Sequence, residues 1–378
     1  MSMTPTKKNE VCLVGHPYTP IGMGEHLRAS FRSFRAAGES PRLLDVYKLE
    51  QPSPADKAEF GPSMQSTLAP INIFHINGDE IRQAWKHLGH PEQMPGYNVI
   101  YPLWELPRYP QEWASQLDRF DEIWAPSRFI MESLEKACSK PIYHMPLSCQ
   151  VSLTSFVGRR YFGIPEADYA FLFFYDLRSF STRKNPGGVL RAFRSLLAKR
   201  PYSKAHLVIK VNGVETNPAA FAELQQQVAN LHNSVTLIQR TMTGNEVKNL
   251  VRCCDCFVSL HRSEGYGFGC AEAMALGRPV IATAYSGNMD FMVPEASLGV
   301  DYKLIPVLEG EYPHHENQVW ADPDYEQAAS FMVDVLDSPE KGRALGAAAR
   351  RHMQNRFAYR PTGLKYVDRL DAIRRNLG

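Results

Sequence analysis

The sequence predicts an α/β protein built from two doubly wound, parallel-sheet domains. Three observations carry that prediction. The chain has 378 residues, and domains run to about 100–200 residues each. Short apolar runs alternate with helix-patterned stretches, the signature of βαβ units. That alternation is interrupted once by an irregular connector and then starts again.

The first half opens with a strand at Val11–Gly15. The loop HPYTPIGMG follows, then a helix from about Glu25 to Ala37, stopped by Gly38. Further strands are expected at Leu43–Tyr47, Ile71–Ile76, Tyr97–Leu103, Asp121–Ala125 and, briefly, Tyr143–Met145. Ser148–Asp168 has little periodicity and holds Gly158, Gly163 and Pro165, so it reads as the connector. Beyond it, strands at Tyr169–Asp176, His206–Val211, Ser234–Ile238, Cys256–Leu260 and Pro279–Thr283 alternate with helices. Those helices are Gly188–Lys199, Pro218–Leu231, Gly244–Arg252 and Gly269–Leu276. Pro339–Leu377 is helical and Arg-rich. The expected domains are residues 1–160 and 161–354, with a C-terminal helix of about 355–378 packing back on the first.

Composition excludes several classes. With 25 glycines, 27 prolines and 44% hydrophobic residues, the chain is neither collagen-like nor largely disordered. A net charge of +2 is unlike that of a nucleic-acid-binding domain. Seven cysteines without paired spacings suit a reduced, cytoplasmic protein. The start MSMTPTKKNE runs into VCLVG, too short an apolar stretch for a signal-peptide core. The longest mid-chain apolar run, Tyr169–Tyr175, falls well short of the ~18 residues of a membrane span.

The richest segment is Ser263–Asp290, SEGYGFGCAEAMALGRPVIATAYSGNMD. Glu264 precedes three alternate glycines, Gly265, Gly267 and Gly269, which open the helix bearing Glu272. Glycines let the backbone approach a ligand closely. A helix N-terminus offers N–H groups and a positive dipole end to an anion. One carboxylate is then placed for a sugar-sized group and the other for a ribose-sized group beyond a phosphate. Singly, Glu264 is an ordinary loop carboxylate and Glu272 a helix-dipole partner. Three glycines so spaced cost backbone entropy and call for a reason.

Glu264 and Glu272, with seven residues between them, resemble the E-x7-E motif of retaining glycosyltransferases of family 4. LGRPVIATAYSGNMDF is similar to the strand and loop that follow it there. The resemblance implies a GT-B fold, two Rossmann-like domains facing a central cleft, and transfer of a hexose from a nucleotide-sugar with retention. Arg178 and Lys184, six apart in YDLRSFSTRKNP, match the family's Arg and Lys that contact the donor diphosphate, with Arg183 a further cation. By the same resemblance Glu264 binds the transferred sugar and Glu272 the ribose. Backbone N–H groups of Gly267, Phe268 and Gly269 hold phosphate oxygens. Gly22 and Gly24, after the first strand, match a loop that approaches the donor phosphates; a plain tight loop fits equally well. Read as a dinucleotide fingerprint they fail, because Leu27 takes the third glycine's place.

Tyr97–Ser127 resembles the W-E-L…W…D-E-I-W-x-P-S pattern of a bacterial polysaccharide branch. Trp104 and Glu105 suit a sugar acceptor, the ring stacking on sugar faces and the carboxylate binding hydroxyls. Trp113 and Trp124 suit the core. His75 and Asn77 form a second acceptor-side set, with a core histidine as the alternative. Donor and acceptor are therefore expected to be a nucleotide-sugar, GDP-mannose before UDP-sugars, and a glycan or lipid-linked acceptor. Arg28, Arg32 and Arg35 share a helix face that could rest on an anionic membrane at the inner leaflet or on an acceptor pyrophosphate, or remain a solvated face.

No metal or other cofactor is expected. Asp322-Pro323-Asp324 is a D-x-D string, but it precedes a helical pattern that Asp would cap. Cys253, Cys254 and Cys256 lack a second ligand pair and read as core. The rival readings are a nicotinamide-dependent oxidoreductase, a non-catalytic nucleotide- or sugar-binding protein, and a hydrolase with paired carboxylates.

Overall fold

The computed structural model describes residues 10–89, 94–231 and 233–378. The start of the chain, read above for a leader, lies largely outside them. Two compact units divide the chain: residues 1–148 with 356–378, and residues 149–355.

Unit 1 carries β1 (Val11–Gly15), α1 (Gly22–Ala36), β2 (Arg42–Asp45), α2 (Pro54–Phe60), β3 (Ile71–Phe74), α3 (Ile81–His87), β4 (Tyr97–Ile100), α4 (Gln111–Leu117), β5 (Glu122–Ala125), α5 (Arg128–Glu135) and β6 (Ile142–His144). Its six strands are all parallel, in the order β2-β1-β3-β4-β5-β6. Strands buried on both faces read as continuous apolar runs, and β1 and β3 are buried throughout.

Unit 2 carries β7 (Tyr169–Asp176), α6 (Ser181–Lys184), α7 (Pro186–Lys199), β8 (Ala205–Asn212), α8 (Pro218–Ala229), β9 (Val235–Ile238), α9 (Gly244–Cys253), β10 (Cys256–Ser259), α10 (Phe268–Ala275), β11 (Val280–Thr283), β12 (Leu298–Val300), β13 (Tyr302–Pro306), β14 (Val319–Pro323), α11 (Tyr325–Asp337) and α12 (Pro339–Arg356). Six strands form a parallel sheet in the order β12-β11-β10-β7-β8-β9, and β13 and β14 pair antiparallel. One face of the sheet packs Phe171, Phe173, Ile209 and Val258 against Val189 and Phe193 of α7 and Met332 of α11. The opposite face carries Leu172, Phe174 and Phe257, and α10 crosses it so closely that a side chain at Gly269 would meet Phe174 and Phe257.

A last helix, α13 (Tyr359–Leu377), returns to unit 1 and lies against α1. Gly363 lets the two backbones touch, since a side chain there would strike the Ser33 carbonyl. Tyr366 is fully buried beside Phe34, Tyr101 and Trp124. Arg369 pairs with the buried Glu122, and Arg374 reaches Glu10 at 3.1 Å and Glu39 at 2.9 Å.

Candidate functional site

In open α/β sheets, ligands bind beyond the carboxyl ends of the strands where the strand order reverses. In unit 2 that point lies between β7 and β10. The loops there are Asp176–Asn185 and Leu260–Gly267, and these two segments hold the predicted cations and Glu264. Lys184 and Glu264, 80 residues apart in sequence, thus become spatial neighbours.

Lys184 ends α6 and donates a hydrogen bond to Glu264 Oε1. Arg183 donates to Glu264 Oε2 at 3.2 Å and to the Ser263 carbonyl at 3.0 Å. The Glu264 side chain is 13% exposed. Burial alone would raise its pKa, but Lys184, Arg183 and His261 outweigh it and hold the carboxyl at about 2. The backbone is pinned as well. Glu264 N–H donates to Ser286 Oγ at 2.8 Å, and Gly287 N–H donates to the Glu264 carbonyl at 2.9 Å. Ser286 adopts φ 77°, ψ −148°, a region that a side chain rarely tolerates. Gly287 has no room for a side chain, because one would strike the backbone of Gly265.

His261 completes the support. Its ring lies 3.0 Å from Ser259 Oγ and 3.0 Å from Asn288 Oδ1, while Asn288 also donates to the Thr283 carbonyl. Burial is the main cause that lowers its pKa, against the opposing pull of Glu264.

Gly267 caps α10 at φ 92°, and no side chain caps this helix. Phe268 and Gly269 occupy the first two helical positions, and Glu272 lies on the next turn, half-buried. A left-handed glycine thus leads directly into a helix N-terminus.

Arg178 stands apart from this cluster. It is 49% exposed and holds Asp176 with two side-chain hydrogen bonds of 2.9 and 2.7 Å. Gly213, at φ +69°, lies under this pair, and a side chain there would strike Asp176. Arg178 also lines a pocket of about 710 Å³ with Phe180, Ser181, Asn217 and Arg262. The sequence singled out Arg178 with Lys184; the structure brings Arg183 with Lys184 onto Glu264. Nothing in the sequence pairs Asp176 with Arg178 except proximity; Ser286 and Asn288 lay within the family-like LGRPVIATAYSGNMDF without being singled out, and His261 was not singled out either.

The D-x-D string is engaged otherwise. Asp324 caps α11, accepting from Glu326 N–H and Gln327 N–H. Asp322 accepts from the Tyr325 hydroxyl at 2.7 Å. Cys253, Cys254 and Cys256 are buried, and burial is the main reason their thiol pKa values rise.

In unit 1 the acceptor-side expectations fare differently. Trp104 is only 3% exposed: its indole donates to the Arg108 carbonyl, and its ring meets Tyr109 and Trp113 edge-on. A ring enclosed by its own loop offers no free face within unit 1 for a sugar to stack on. Glu105 is half-buried beside it. Asn77 is a capping residue, its side chain accepting from Leu103 N–H at 3.0 Å while its N–H donates to Glu80. His75 is fully buried against His26 and Tyr101, and burial lowers its pKa to about 3. Gly22 begins α1 with open space around it. Gly24 is needed inside the fold, since a side chain would strike the Thr19 and His16 carbonyls. The helix cations are also occupied. Arg28 binds Glu25 at 3.1 Å and Arg32 binds Glu59 at 2.7 Å, so this face is not a bare basic stripe. Among the described residues no helix is long and apolar enough to cross a membrane.

Comparison with known proteins finds similar chains and folds. Residues 162–301 match the family model of glycosyl transferases group 1. The chain is 26% identical over 229 residues to a D-inositol 3-phosphate glycosyltransferase of Thermobispora bispora, covering 58% of this chain and 48% of the relative. It is 23% identical over 197 residues to a GDP-mannose-dependent monoacylated alpha-(1-6)-phosphatidylinositol monomannoside mannosyltransferase of Corynebacterium glutamicum, covering 50% and 44%. The chain thus spans about half the length, or less, of the curated relatives it matches. In fold it is similar to Anabaena Alr3699/HepE, solved with UDP and glucose, at TM-score 0.70 and 13% identity over 96% of this chain and 99% of that one. The sucrose-phosphate synthase of Thermosynechococcus elongatus gives 0.67 and 15% over 97% and 99%. The chain is therefore built from two parallel-sheet, Rossmann-like α/β units, similar in fold to these structures, and residues 162–301 match the glycosyl transferases group 1 model.

Proposed function

We propose that this protein is a retaining hexosyltransferase that moves a sugar from a nucleotide-sugar to a glycan or lipid-linked acceptor without a metal. One observation carries the reading most: a carboxylate kept anionic by two cations, beside a glycine turn into an uncapped helix, at the reversal point of the unit 2 sheet.

In this reading the first turn of α10, at Gly267, Phe268 and Gly269, binds phosphate oxygens, and Lys184 and Arg178 stabilise charge on the departing diphosphate. Glu264 binds hydroxyls of the transferred sugar and Glu272 those of the ribose. The acceptor oxygen attacks the anomeric carbon on the face the phosphate leaves. The C–O bond to phosphate breaks as the new C–O bond forms, and the acceptor proton passes to the leaving phosphate oxygen. The acceptor side belongs to unit 1, where Glu105 is the half-buried carboxylate of the predicted set. The matched mannosyltransferase favours GDP-mannose, and the fold neighbour solved with UDP keeps UDP-sugars in play. Work on an inner-leaflet acceptor would place the protein at the cytoplasmic membrane face.

Thermal-shift screening with GDP, UDP and dTDP tests the donor class, because a specific ligand raises the melting temperature by mass action. A shift with one base and not the others supports the reading. No shift with any nucleoside diphosphate overturns it.

A further inference from the structure

Lys210, on β8, is 2% exposed. An ammonium has three donors, yet among the described residues Lys210 donates to the Val211 carbonyl alone, at 3.5 Å. A buried amine so poorly satisfied is costly and calls for a purpose.

The strand register shows what surrounds it. Lys210 pairs with Phe174 of β7, and Asn212 pairs with Asp176. Side chains alternate along a strand, so Asp176 and Lys210 project from the same sheet face, diagonal to one another. On the other side Lys210 pairs with Ile238 of β9, and Arg240 lies two residues on. The charged groups acting on Lys210 are Asp176 from β7, Arg178 from the loop beyond it and Arg240 beyond β9. Arg240 is held by Glu246 at 2.6 Å. The α10 helix crosses this face at Phe174.

Asp176 therefore has two cations within its field and binds only one of them, Arg178. That pair is partly exposed, at 49% and 25%, so an incoming anion can compete for the arginine. We propose that Lys210 is a positioning residue: when a nucleoside diphosphate draws Arg178 away, Asp176 turns to Lys210, which keeps that carboxylate paired. The inference rests on the reading that Arg178 serves the donor diphosphate.

A proton signature follows. Burial, the largest cause, and the two arginines lower the Lys210 pKa to about 8, against the opposing pull of Asp176. Removal of Arg178 and closer approach of Asp176 both raise it. Binding then takes up a proton only above about pH 8, so affinity is level below that pH and falls above it.

The test is isothermal titration of GDP or UDP, whichever shifts the wild type, at pH 7 and pH 8.5 in buffers of different ionisation heat. Wild type should take up protons at pH 8.5 and not at pH 7. Lys210→Met should bind about tenfold more weakly at pH 7 and lose the uptake. Adding Asp176→Asn to Lys210→Met should restore affinity, because Arg178 is then released without leaving a lone carboxylate. A purely structural lysine would show no such rescue. Lys210→Gln serves if the methionine variant does not fold. Wild-type affinity in Lys210→Met, or weak binding unrelieved by Asp176→Asn, overturns the inference. Failure of the wild type to bind either nucleotide would instead sink the donor-site reading beneath it.

Discussion

Replacing Arg183 with methionine removes one of two cations from a buried carboxylate. Arg183 is 4% exposed, and its guanidinium spans the Glu264 carboxylate and the Ser263 carbonyl. Breaking a buried ion pair by deleting one partner costs roughly 3–5 kcal/mol, because the remaining charge is stranded. Lys184 still faces Glu264, so the low end applies, about 3 kcal/mol. Unit 2 spans residues 149–355, and domains of that size lose about 2–4 °C per kcal/mol. Scanning calorimetry at pH 7 should therefore show its transition fall by roughly 6–12 °C. Adding Glu264→Gln removes the stranded anion and should recover at least half of that loss. A fall below about 2 °C, or no recovery in the double variant, would refute the reasoning that Arg183 neutralises Glu264.

Three further outcomes are expected. The depressed Glu264 pKa contributes about 3 kcal/mol of stability; this is fully present above the ordinary carboxylate value of 4.5 and lost as pH falls toward about 2. Urea midpoints across that window should fall more steeply for wild type than for Glu264→Gln, and parallel slopes would contradict the assignment. Ser286→Ala loses the hydroxyl that accepts Glu264 N–H and keeps the strained backbone, whereas Ser286→Gly loses the hydroxyl but relieves the strain. The alanine variant should be less stable than the glycine variant by about 1 kcal/mol in chemical denaturation; the reverse order would remove strain from the account. Trp104→Ala should cost unit 1 roughly 3–5 kcal/mol, visible by near-ultraviolet dichroism, and a stable variant altered only in acceptor KM would restore the sugar-facing role.

Much of the fold was legible because βαβ alternation is a local pattern. β7 was read to the residue, Tyr169–Asp176, since a strand buried in mid-sheet is apolar throughout. Tyr97–Leu103 was read too long: the strand ends at Ile100, Tyr101 N–H still donates to the Phe74 carbonyl, and Pro102 and Leu103 lie beyond the strand although they stay apolar. That departure also explains Trp104. Its loop folds back under Tyr109 and Trp113, a closure no spacing rule predicts. In the site, Glu264 and the glycine turn announced themselves through backbone chemistry. The choice between Arg178 and Arg183 did not, because it depends on which way a loop turns after β7. Phe180 and Asn185 both take positive φ there, at 61° and 56°, and so send Arg183 inward. The loop with Ser286 was noticed as a family-like segment, but the part of Ser286 was not, because it is played by one hydroxyl and an unusual backbone conformation.

The central claim is that Lys184 and its neighbours stabilise a departing diphosphate without a metal. Turnover of the nucleotide-sugar whose nucleotide shifts the melting temperature, followed by release of that diphosphate with and without EDTA, tests it directly. Wild type should be unaffected by EDTA, and Lys184→Met should lose about 10²–10³ in kcat while remaining folded. Turnover abolished by EDTA, or a Lys184→Met enzyme working at the wild-type rate, would contradict it.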